Sequence, residues 1–83
     1  MDINETQQYQ FGVNRDEYIR SLVKEVYEAL KEKGYNPVSQ IVGYIMSGDP
    51  TYITSHKNAR AVIRKIDRDE LLEALVKGYI EHL

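Results

Sequence analysis

The sequence predicts an all-α fold: a compact bundle of four main helices plus a short extra helical turn, with a flexible N-terminal tail. Three observations lead there. Apolar residues recur at three- and four-residue steps in four separate segments, the mark of amphipathic helices. Capping residues stand ahead of those segments, and Asn36-Pro37 and Asp49-Pro50 put proline at a first helical position. The one alternating stretch, Tyr9, Phe11 and Val13, has no second strand to pair with, and a lone strand does not hold.

Residues 1–13 are polar, with Gln7, Gln8 and Gln10 and no helical stripe. They read as a mobile tail whose apolar end docks on the body. Residues 14–83 read as a single helical domain, because 83 residues cannot enclose two cores.

The first helix opens at Asn14, with Glu17 at capping-box spacing. Ile19, Leu22, Val23, Val26 and Leu30 make its apolar face, and Gly34 is the expected left-handed terminator. Asn36 and Pro37 start the second helix, where Val38, Ile41, Val42, Ile45 and Met46 cover a wide arc. Gly43 costs about 1 kcal/mol against alanine in such an interior, so close approach of a neighbouring helix is expected there rather than a ligand. Ser47-Gly48 ends the helix and Asp49-Pro50 begins the single extra turn. Thr54 or Ser55 then caps a third long helix with Ala59, Val62, Ile63 and Ile66 as its stripe. Asp67 and Glu70 repeat the capping-box spacing, and Leu71, Leu72, Leu75, Val76, Tyr79 and Ile80 form the face of the last helix.

Composition excludes several functions. Eleven Lys+Arg against thirteen Asp+Glu give a net charge of −2, which argues against sequence-independent coating of nucleic acid. The absence of cysteine removes disulfides, thiolate nucleophiles and Cys-based zinc sites. No apolar run approaches a membrane span and the start does not resemble a signal peptide, so a cytoplasmic protein without membrane insertion is expected. His56 and His82 lie far apart, which predicts no metal site, and no glycine-rich phosphate loop exists, so neither cofactor nor catalysis is expected.

Charge is uneven. Lys57, Arg60, Arg64 and Arg68 recur at steps of three and four on the expected third helix, a local positive face in an acidic chain. It is either a solvated face paired with internal acids or a binding surface for an anion or partner. The seven tyrosines in so short a chain suit half-buried seams and interfaces. Together with the wide arc of the second helix they predict a homodimer, with Tyr35, Ile41, Val42, Tyr44, Ile45, Met46 and Tyr52 as interface candidates.

The segment Leu30 to Tyr44, continued by Ser47-Gly48-Asp49-Pro50 and Tyr52-Ile53, is distinctive. With Ala59-Arg60, Ile63-Arg64-Lys65 and Arg68-Asp69-Glu70, it resembles the IreB family of small regulatory phosphoproteins of low-GC Gram-positive bacteria, from Thr6 onward. The resemblance implies a cytoplasmic, all-helical homodimer without catalysis. It implies a PASTA-type transmembrane Ser/Thr kinase and a cognate phosphatase as partners, with an unknown downstream effector, in the response to cell-wall stress and in cephalosporin tolerance. It makes Thr6 the phosphorylation site. Ile3 stands where some members carry a second threonine. Independently, Thr6 is the only hydroxyl residue before Ser21, tyrosines aside, and it lies in the one segment without a helical signal. Its phosphate is expected to seek the basic face, with Arg60 and Arg64 as bidentate partners. The alternative reading is a helix-turn-helix module whose basic helix over 55–66 enters DNA.

Overall fold

The computed structural model describes residues 3–83, with side chains from Arg15 onward. Among these residues there is no strand, as expected, and four α-helices run α1 Ile3–Glu32, α2 Pro37–Ser47, α3 Ala59–Ile63 and α4 Arg68–Glu81. Short 3-10 turns at Pro50–Tyr52 and His56–Asn58 join α2 to α3.

Helix α1 is the spine. It begins at Ile3 rather than at the Asn14 cap that the sequence predicts. The added stretch carries three glutamines, which are good helix formers, and Gly12 is its poorest helical position. The expectations placed on residues 1–13, a flexible tail with Thr6 as acceptor, rest on side chains outside the described residues. Further along, Ile19, Leu22, Val26, Ala29 and Leu30 are buried and form one stripe. The helix ends in a Schellman motif: Gly34 sits at φ +83°, its N–H donates to the Lys31 carbonyl, and the Tyr35 N–H donates to the Leu30 carbonyl.

Helix α2 is capped as predicted. The Asn36 side chain accepts from the Ser39 N–H at 3.1 Å, and Gly48, at φ +75°, donates to the Tyr44 carbonyl at 2.7 Å. The following turn is held by Asp49, whose Oδ1 accepts from the Thr51 N–H and hydroxyl. Gly43 has a packing reason, but the neighbour is the ring of Tyr52 rather than another helix. A Cβ at Gly43 would fall 2.5 Å from that ring.

The expected long third helix is not formed. Lys57 and Asn58 take left-handed φ of +52° and +64°, and α3 proper is five residues. Two 3-10 bonds then close it, Lys65 N–H to the Val62 carbonyl and Ile66 N–H to the Ile63 carbonyl. The physical reason is burial. Ile53, Ala59, Ile63 and Ile66 are all within 2% of complete burial, and the kink lets the segment before Ala59 and the helix after it both contribute to one core. Asparagine tolerates the left-handed region better than other non-glycine residues. Glu32, at the end of α1, grips the kinked segment through His56 at 2.8 Å and Lys57 at 2.9 Å.

Helix α4 is preceded by Asp67 at its N-cap, whose carbonyl accepts from the Leu71 N–H at 2.9 Å but whose side chain makes no capping bond. Its expected box partner Glu70 is held mainly by Arg15 on α1, with the Asp67 backbone N–H a smaller influence on its carboxyl. The core is therefore the α1 stripe closed by Ile41 and Tyr44 of α2, the Ile53–Ile66 segment, and Leu71 of α4.

Candidate interaction surface

The four basic candidates do not share a face. Lys57 is bound to Glu32 in the kinked segment. Arg60 Nε donates to the Ile53 carbonyl at 2.9 Å. Arg68 Nη1 donates to the Ile45 carbonyl at 3.0 Å, with its guanidinium laid against Gly48. Arg64 is exposed at the end of α3. The regular spacing fails because left-handed residues interrupt the helix that would have aligned the charges. The same break removes the recognition helix over 55–66, since five residues cannot present three or four side chains to a groove.

Chemistry-bearing clusters do not appear among the described residues. No three His, Asp or Glu side chains are grouped to hold a metal. His82 Nδ1 pairs with the Gly78 carbonyl, and no buried polar side-chain atom lacks a partner. The perturbed carboxyls serve as tethers, Asp16, Glu32 and Asp49 exposed and Glu70 half-buried. Arg15 holds Glu70 below the ordinary glutamate range, Lys77 does the same for Asp16, His56 and then Lys57 for Glu32, and Thr51 for Asp49. No helix among the described residues is long and apolar enough to cross a membrane.

The interface candidates divide. Ile41 and Tyr44 are buried in the chain's own core and Ile45 packs partly against it. Tyr35, Val42, Met46 and Tyr52 are exposed, Met46 at 79%. The sequence reading missed the matching surface on α4. Only Leu71 of that helix is fully buried, whereas Leu72, Val76, Tyr79 and Ile80 are exposed. Val38, Val42 and Met46 on α2 are exposed at the same four-residue spacing. The signal was present: an apolar arc spanning Leu71-Leu72, Leu75-Val76 and Tyr79-Ile80 is wider than one neighbouring helix can cover.

Between these stripes lies a groove of about 630 Å³, lined by Val23, Tyr27, Val38, Val42, Leu75 and Tyr79. No carboxylate lines it, and Arg20 and Lys24 are its charged residues. It shares Arg20, Val23 and Leu75 with a second cleft of about 340 Å³ between α1 and α4, where Ile19, Ala74 and Gly78 are apolar and Asp16, Lys77 and Glu81 are charged.

Comparison with known proteins gives a consistent answer. The model of the family described as IreB regulatory phosphoprotein matches residues 4–81. A protein of Ruminiclostridium cellulolyticum named "UPF0297 protein" is 51% identical over 82 residues, covering 99% of this chain and 93% of its own. A protein of the same name in Acetivibrio thermocellus is 56% identical over 81 residues, covering 98% and 90%.

Proposed function

The chain belongs to the IreB family of regulatory phosphoproteins, and from that premise we propose that it is a non-enzymatic switch controlled by phosphorylation of Thr6. The kinase is a PASTA-type transmembrane Ser/Thr kinase, opposed by its phosphatase, and the pathway is the cytoplasmic response to cell-wall stress, including cephalosporin tolerance. The family match is the observation behind this reading, because it begins at residue 4 and so includes Thr6. A kinase needs an acceptor that can be drawn into its cleft as extended chain. Thr6 lies close to the start of α1, where a helix frays most readily.

The same proposal includes a homodimer. Met46, Leu72, Val76 and Ile80 leave apolar side chains in water, and a domain with so small a core gains by burying them against a second copy. The experiment is phosphorylation of the purified protein by the kinase domain, with the site read by fragmentation mass spectrometry. Phosphate on Thr6, lost in Thr6→Ala, is expected. Equal labelling of the two proteins overturns the site.

A further inference from the structure

We propose that helix α4 past Leu71 docks only loosely on its own chain and that a second copy fixes it, so that dimerisation and the docking of α4 are one coupled event. The inference rests on the homodimer reading and adds which element the dimer orders.

The first ground is how little holds this helix from within. Leu71 is its one fully buried residue. Ala74 and Leu75 are half-buried against the core, whereas Leu72, Val76, Tyr79 and Ile80 are between 47% and 71% exposed. The cleft of about 340 Å³ lies between α1 and this same stretch, with Ile19 and Val23 on one side and Ala74, Leu75 and Gly78 on the other. The inner face of α4 therefore leaves space that a closely packed helix would fill. A Cβ at Gly78 would meet nothing within 4 Å, so its helical cost brings no close packing in return, unlike that of Gly43.

The second ground is where the tethers are. Arg15 with Glu70, and the buried Leu71, pin the first turn of α4. Past Leu71, among the described residues, the ion pair to α1 is Lys77 with Asp16. Both side chains are more than half exposed, and such pairs contribute little. A segment as short as 72–81 is marginal as a helix in water on its own. Helix α2, which carries the other exposed stripe, differs. Asn36 and Gly48 cap it at its two ends, and Ile41 and Tyr44 anchor it in the core. One half of the exposed surface is thus firmly held and the other is not.

The third ground is self-complementarity, which selects a second copy as the occupant. Leu72, Val76 and Ile80 follow at steps of four, and Leu and Ile are isomers of one size, so the stripe reads alike from either end. A two-fold axis at Val76 sets Leu72 against the partner's Ile80 and Val76 against its own counterpart. Such pairing covers the outer face of α4 while α1 backs the inner one. A chain with α4 undocked has lost half of that surface, so the second copy binds the docked form in preference and draws the equilibrium towards it.

Hydrogen exchange of the full chain, read by fragmentation mass spectrometry, tests this, with sedimentation giving the oligomeric state at each protein concentration. In the single chain the amides of 76–81 should exchange well ahead of those of 22–30, which open only with the whole domain. At a concentration about a hundredfold above the dimer midpoint, exchange over 76–81 should slow at least about tenfold. Met46→Asp, a change on α2, supplies the single chain if the parent stays dimeric on dilution. Equal protection of the two segments in the single chain would overturn the loose docking. A dimer whose formation leaves 76–81 unchanged would overturn the coupling and leave the homodimer standing. A single chain at every concentration would remove the homodimer itself, and the coupling with it.

Discussion

Arg15 holds Glu70 through two parallel hydrogen bonds, Nε to Oε2 and Nη2 to Oε1, each 2.7 Å long. The pair spans 55 positions and ties α1 to the first turn of α4. It is a bidentate guanidinium–carboxylate contact between two half-buried side chains, the geometry in which such an ion pair is most effective.

Stability should therefore fall in acid. Arg15, through its hydrogen bonds and then its charge, holds the Glu70 carboxyl below its ordinary value near 4.5. A carboxyl depressed on folding contributes stability above its unfolded value and loses it as pH falls through the folded one. Asp16, Glu32 and Asp49 are shifted the same way. Thermal midpoints should be flat above the carboxylate range and drop below pH 4.5. Glu70→Gln should flatten part of that drop, and should narrow its difference from the parent protein in high salt.

Two glycines should respond oppositely to alanine. Gly78→Ala places its methyl in open space and removes the helix penalty of glycine, a gain of up to about 1 kcal/mol. Gly43→Ala drives its methyl into the Tyr52 ring, and overpacking of this kind costs about 1–3 kcal/mol, which outweighs the same helix gain. Urea unfolding of the two variants checks both signs.

Asn58 should tolerate glycine and reject alanine. At φ +64° alanine meets the steric penalty of the left-handed region, a loss of about 1 kcal/mol, whereas glycine meets none. A variant pair that unfolds at the same urea concentration would contradict the kink.

The exposed stripes should set the oligomeric state. Met46→Asp with Val76→Asp puts two charges on side chains that are 79% and 52% exposed in the single chain. Folding of the single chain should survive, since surface changes of this kind are usually within about 0.5 kcal/mol. Sedimentation equilibrium should show the parent at twice the chain mass and the variant near one.

Short-range chemistry was legible in the sequence. Asn36 with Pro37, Gly34, Gly48, and Asp49 with Pro50 act within a few residues of themselves, and each terminates or starts an element where its type predicts. The buried stripe of α1 was legible because three- and four-residue spacing needs no partner to be recognised. The tertiary structure alone decided what depends on competition between distant residues. Glu70 takes Arg15, 55 positions away, as its main partner. Lys57 and Asn58 leave helical geometry so that Ile53 and Ala59 reach one core, and in doing so scatter the basic residues that even spacing had aligned. The wide arc of α2 read as an interface and that of α4 as a single face, but one spine covers only one side of each helix. Which side remained outside, and hence where the groove lies, was decided by how the helices pack.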